Sequence, residues 1–238
     1  MAIFLLFTRK VEDRDRVVHI EPKHREHQSF GQKLKELPIL DARFMAFIFV
    51  LLPIRTMFAH QWLTMPHYIM RCFPESIGAR YEWLQGLNPL FITIAVPLVA
   101  GLTRKVNIIS MMILGTVISG ASTFILAPAP DLTLLVTYIL VFSLGEAIWS
   151  SRFFEYVADL APAGKVGAYM GLAGIPWFLA KFTTGFYSGY MLEKFIPENG
   201  VQDSGTLWVI YGFIALLSPL GLLLMRNWMV KPLKQESI

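Results

Sequence analysis

The sequence predicts an all-α membrane protein with six transmembrane helices. Three observations carry that expectation. Hydrophobic residues make up 55% of the 238 residues and charged residues only 16%, against about 45–50% and about 25% in an ordinary soluble domain. The mean hydropathy is +0.52. The apolar residues also fall into six continuous runs of the length that crosses a hydrocarbon core, roughly 20 residues. The runs do not alternate and are about twice as long as a barrel strand needs, so strands are a poor alternative. The same figures argue against a soluble enzyme, a disordered chain and a nucleic-acid-binding domain.

The runs are Phe44 to Leu63, Trp83 to Leu102, Val106 to Leu126, Leu132 to Val157, Val166 to Leu192 and Leu207 to Met225. Breakers separate them: Pro74 and Gly78, Thr103 to Lys105, Pro128 and Pro130, Pro162 and Gly164, and Pro197 to Gly205. Residues 1–42 form a cytoplasmic polar segment, residues 43–228 the six-helix bundle and residues 229–238 a cytoplasmic tail. Met1 to Phe7 is apolar but too short for the hydrophobic region of a signal peptide, and its basic residues follow it. No Ser- or Gly-rich linker divides the chain, which reads as one membrane domain.

Positive charge sets the orientation. Six spans put both termini on one side. That side receives fifteen Lys and Arg residues, nine of them up to Arg43, while the other receives only Arg71, Arg80 and Lys194. By the positive-inside rule both termini are cytoplasmic; a plasma membrane and an organelle fit equally. The single cysteine, Cys72, excludes an internal disulfide framework and a multi-cysteine zinc site. His19, His24 and His27 match no structural zinc spacing. No metal and no cofactor is expected.

Charges inside the runs are the functional candidates, because a charge at the bilayer centre costs at least about 2.5–3.5 kcal/mol and is turned towards a bundle interior or a wet cavity. Arg55, Glu146 and Lys181 stand near the middle of the first, fourth and fifth runs. Arg152 and Glu155 lie nearer the cytoplasmic end of the fourth and, three residues apart, share a face and can pair. Glu146 is nine residues from Glu155, half a turn out of phase, with no basic residue at three or four positions either side. Its partner is Arg55 or Lys181 in a static salt bridge, a substrate, or a proton. A lone carboxylate in a low dielectric can cycle between protonated and ionised forms, as proton coupling requires.

The second run holds Gln85, Asn88, Thr93, Pro89 and Pro97, and Gln85 and Asn88 share a face. The first holds Pro53, His60, Gln61 and, just beyond it, Pro66. Broken helices at mid-depth are where transporters build substrate sites. In the fifth run Gly167, Gly171, Gly174, Gly185 and Gly189 fall within about 60° of one another, with Lys181 about 40° off that stripe. Such a stripe predicts close packing against a neighbouring helix and turns Lys181 to the bundle interior. Trp177, just after Pro176, is expected on the side away from Lys181, more suited to packing than to stacking a substrate.

Six spans, termini inside and a basic lead-in resemble the C-terminal half of a major facilitator superfamily transporter, one half of a twelve-helix facilitator fold. In that resemblance Met1 to Phe7 is the end of helix six and the basic segment is the central cytoplasmic loop. Three stretches are similar to the proton-dependent oligopeptide transporter family: Gln85-Gly-Leu-Asn88 followed by Pro97; Phe142-Ser-Leu-Gly-Glu146 followed by Glu155 and Ala161-Pro162; and Tyr169-Met-Gly171. The chain departs from that family at Ala173, where the family has Trp, one turn before Trp177, and at Ala100, where the family often has an acidic residue. The resemblance implies that Glu146 meets a substrate amine or takes part in proton coupling, and that Asn88 contacts substrate.

These readings lead to a proton-coupled solute transporter, present as a C-terminal half. Its solute is peptide-like or otherwise anionic or zwitterionic. Asn88, Gln85, Glu146, Lys181 and Trp177 are its candidate substrate contacts, and Glu146, Arg55, Arg152 and Glu155 its proton-coupling or ion-pairing groups. The partners are the substrate, protons, the lipid bilayer and a second six-helix half, either a missing N-terminal half or another copy; nucleic acid is not among them. The alternative is a non-transporting membrane fragment or scaffold subunit that needs a partner half. An enzyme is not expected, since the chain has no nucleophile elbow, HExxH, P-loop or paired catalytic carboxylates.

Overall fold

The computed structural model describes residues 38–162 and 164–229, and every regular element among them is helical. A short 3₁₀ turn, Pro38–Leu40, leads into α1 (Ala42–Val50), α2 (Leu52–Leu63), α3 (Met65–Cys72) and the single turn α4 (Glu75–Gly78). Then come α5 (Tyr81–Leu102), α6 (Ile108–Ser122) with a 3₁₀ extension Thr123–Leu126, α7 (Leu132–Leu160), α8 (Val166–Leu172), α9 (Ile175–Phe195) and α10 (Ser204–Met229). Most of the polar lead-in expected over 1–42, with His19, His24 and His27, lies outside the described residues, as does the tail after Met229.

Short polar side chains start several of these helices. Asp41 Oδ1 accepts from the amides of Arg43 (2.9 Å) and Phe44 (3.1 Å) at α1. Asn107 does the same for Ser110 at α6 (3.0 Å), and Asp131 for Thr133 (2.8 Å) and Leu134 (3.1 Å) at α7. Each meets amides that have no partner inside the helix.

Among the described residues four helices are long and apolar enough to cross a membrane: α5, α6 with its extension, α7 and α10. The pair α1–α2, bent by 41°, makes a fifth if it is one broken span. The described residues therefore form a multi-helix protein with four to five helices of membrane-crossing character, compatible with an integral membrane protein. The run expected from Val166 to Leu192 is not one helix. Pro176 lacks an amide hydrogen and its ring crowds the carbonyl four residues back, at Leu172, where α8 ends. The longer piece, α9, carries Lys181, Thr183, Thr184 and Ser188 and is not among the helices apolar enough. The break between α1 and α2 has the same cause in Pro53, and the Ile54 amide it leaves at the start of α2 donates to Ser218 Oγ of α10 (2.9 Å).

Close helix packing holds the bundle. α6 and α7 cross with their backbones touching: a Cβ on Gly115 would stand 2.7 Å from the carbonyl oxygen of Gly145 and 2.7 Å from the amide nitrogen of Trp149. Small residues allow that approach. α10 packs on both α6 and α2, and α9 packs on α2. The core between them is aromatic, with Phe58 near Phe142 (ring centroids 4.9 Å apart), Trp149 (5.6 Å) and Trp177 (5.9 Å).

The glycine stripe of α8 and α9 does not pack as expected. At Gly167, Gly171, Gly185 and Gly189 an added Cβ would meet nothing within 4 Å. The buried line of α9 runs instead through Pro176, Ala180, Thr184, Ser188 and Leu192. These recur every four residues, so Ala, Thr and Ser supply the small face that lies on α2. The glycines look the other way, and Lys181 is exposed with them rather than turned to the interior of the described bundle.

Candidate functional site

A cleft of about 350 Å³ opens between α2, α7 and the α8–α9 break. Arg55 and Phe58 line it from α2, Glu146, Trp149, Ser150, Phe153 and Phe154 from α7, and Met170, Ala173, Gly174 and Trp177 from the third side. Three candidates widely spaced in the sequence, Arg55, Glu146 and Trp177, thus share one cavity. The cleft's third wall comes from either side of the break at Pro176, with Met170 of α8, Ala173 and Gly174 between the helices, and Trp177 of α9.

Glu146 does not form the salt bridge to Arg55 or Lys181 that sequence reasoning offered as its structural alternative. Its Oε2 accepts from Asn88 Nδ2 of α5 (2.9 Å). The same amide reaches Ser143 Oγ (2.9 Å), which donates to the Ile139 carbonyl (2.6 Å). Ser143 and Glu146, three residues apart, form one polar face of α7, and Asn88 spans it. The nearest cations are simply not within ion-pairing reach.

Arg55 is 8% exposed. Its guanidinium lies over Phe153 (4.4 Å to the ring centroid) and Trp149 (5.5 Å). Its Nε is buried without a hydrogen-bond partner, and no carboxylate among the described residues pairs with it. Arg152 contrasts with it. It is 3% exposed, its Nη1 pairs with Glu155, and its Nη2 donates to Thr103 Oγ1 (2.6 Å) just past the end of α5. Neither Arg152 nor Glu155 lines the cleft.

Lys181 and Trp177 are on one side of α9, not opposite sides: Lys181 Nζ lies 4.9 Å from the centre of the Trp177 ring. Four residues apart on a helix, they are neighbours. Lys181 does not line the cleft. Gln85 lies outside it as well. Its amide caps the backbone carbonyl of Gln61 at the end of α2, and it lines a separate shallow cleft with Trp62, Tyr81 and Pro89.

His60, one of the polar residues of the first run, has no role legible from the sequence. It is 1% exposed, with Nδ1 2.8 Å from Thr64 Oγ1 and Nε2 3.0 Å from the Tyr187 hydroxyl. Its ring stacks on Tyr211 at 3.7 Å. Beside it Gln61 Nε2 donates to the Tyr138 hydroxyl (2.7 Å). This polar group ties α2 to α7, α9 and α10. The signal was present in adjacent polar residues between Pro53 and Pro66, but the tyrosine hydroxyls they bond lie 77 and 127 positions away. No family model matches the chain, and no curated protein matches it.

Proposed function

We propose that the chain is a membrane solute carrier, or a six-helix half of one, with both termini cytoplasmic, and that the cleft between α2, α7 and the α8–α9 break is its substrate site. The observation that carries this reading is the meeting of a buried, unpaired Arg55 and an amide-held Glu146 in one aromatic-walled cleft. Buried ionisable groups among membrane helices are functional candidates by default, and a cavity of this size falls at the low end of small-molecule sites, about 300–1,000 Å³. Glu146 exchanges a proton, Asn88 holds its carboxylate in place, and Trp177 and Phe58 close the wall. Substrate coupling runs through Glu146, the one carboxylate among the described residues that line the cleft.

The fold resemblance implies rocking of this bundle against a second six-helix bundle. The open glycine stripe of α8 and α9, with exposed Lys181 beside it, and the outward-facing Leu90, Ile94 and Leu98 of α5 leave surface for such a partner. Lys181 in mid-helix is costly against lipid and inexpensive against a polar partner helix.

The test is uptake by proteoliposomes containing the chain and loaded with a pH-sensitive dye. Solutes that enter with protons acidify the lumen when the outside is made acidic. Glu146→Gln is expected to abolish solute-dependent acidification while leaving solute exchange at equal pH intact. Proton-driven uptake that survives Glu146→Gln sinks the assigned role.

A further inference from the structure

We propose that the cleft takes a small organic monoanion, whose carboxylate is held by Arg55 and whose flat apolar body lies against Trp149, Phe153 and Trp177. The inference rests on reading this cleft as the substrate site and names the class of solute it takes.

Arg55 is the starting point. A guanidinium carries five N–H donors at the edges of its plane and no acceptor. In this chain its face is covered by Phe153 and Trp149, which leaves the edges. Nε is buried and unpartnered, and no described residue makes a side-chain hydrogen bond or an ion pair with the guanidinium. Breaking a buried pair so that one charge is left alone is strongly destabilising, and cation–π contact offsets only about 0.5–2 kcal/mol. Arg55 lines the cleft, so a ligand bound there can meet its remaining donors. A carboxylate matches their planar fork with two parallel hydrogen bonds.

The rest of the wall decides between an anion and a zwitterion. An ammonium group needs acceptors. Among the described residues lining the cleft, the side chains that can accept are Glu146 and Ser150, since the indole N–H groups of Trp149 and Trp177 only donate. Glu146 Oε2 accepts from Asn88; in the carrier reading this carboxyl takes the proton, and once protonated it gives an ammonium no counter-charge. The remaining lining is apolar or aromatic and offers stacking faces for a ring or branched hydrocarbon. One unmet cation, one carboxyl reserved for the proton and an apolar body fit a single negative group better than a pair of opposite charges.

The experiment measures equilibrium binding to the purified 238-residue chain in detergent micelles, with four probes that share one ring: phenylacetate, the uncharged phenylacetamide, the zwitterion phenylalanine and the cation phenethylamine. Phenylacetate is expected to bind saturably and at least about tenfold more tightly than the other three, the usual effect of one charge-assisted hydrogen-bond set. Arg55→Gln is expected to reduce phenylacetate affinity to that of the amide, while Arg55→Lys keeps part of it. The probe comparison needs no variant, so it decides the matter even if a variant does not fold. Equal binding of acid and amide, tighter binding of phenylalanine or phenethylamine, no saturable binding by the folded chain, or full affinity in Arg55→Gln overturns the proposal. Proton-driven uptake of other solutes would leave the carrier reading standing while this inference fell. Binding of phenylacetate without any uptake would do the reverse.

Discussion

Two buried arginines of this chain sit in opposite circumstances. Arg152, on α7, is 3% exposed, and Arg55, on α2, is 8% exposed. Both leave Nε without a partner. Arg152 then commits its two terminal nitrogens, to Glu155 on its own helix and to Thr103 beyond α5. Arg55 commits neither to a described residue and lies instead over Phe153 and Trp149. The first is a structural clasp, tying the end of one helix to the middle of another. The second is a charge held ready, since aromatic faces tolerate it without satisfying it. Burial alone does not separate the two; the fate of the N–H donors does.

The largest effect is expected at the clasp. Arg152→Met removes a buried charge with two engaged partners and leaves Glu155 and Thr103 without theirs. Glu155 keeps some contact with solvent, its side chain being 42% exposed, which limits the penalty. A loss of about 2–3 kcal/mol follows from charge-assisted bonds of this kind. Thermal unfolding in detergent should show it as a clearly lowered midpoint. An unchanged midpoint would mean that the clasp is decorative.

Arg55→Met should behave in the opposite sense. Replacing an unpaired buried charge by an apolar side chain of similar length is neutral or stabilising, by about 1–2 kcal/mol. The same variant should abolish anion binding. A residue that lowers stability while being required for function marks a site rather than a scaffold. If Arg55→Met instead unfolds the protein as Arg152→Met does, the two arginines are alike and the comparison collapses.

Much of the bundle was legible in the sequence, and the reasons are physical. The long apolar runs of α5, α6, α7 and α10 need no partner to be recognised, because bilayer thickness sets their length. The pairing of Arg152 with Glu155 follows from a spacing of three. The fifth run misleads because its apolar residues continue across Pro176, whose missing amide splits the run into α8 and α9. The glycines misled for a related reason. Small residues mark packing faces, but Ala180, Thr184 and Ser188 are small as well, and one helix cannot bury both sides against α2. Glu146 was visible as a residue in need of a partner. That Asn88 is the partner was not visible, since it comes from a helix 58 positions away. The placement of Lys181 over Trp177 follows from a spacing of four and could have been read.

A smaller effect tests how the clasp divides its work. Thr103→Val removes the hydroxyl that accepts from Arg152 Nη2 and leaves Glu155 in place. The same hydroxyl donates to the Val99 carbonyl (2.6 Å) at the end of α5, so that carbonyl also loses a bond. Val fills nearly the same volume, which isolates the polar loss from a cavity. About 1 kcal/mol is expected, the cost of a buried donor left unmet, less than for Arg152→Met. The variant pushes Arg152 partway towards the condition of Arg55, with one terminal nitrogen engaged instead of two. In the Arg152→Met background the substitution should cost only what the Val99 bond contributes, because its other partner is already gone. Full additivity of the two losses would show that Thr103 stabilises α5 on its own and that Arg152 draws its support from Glu155 alone.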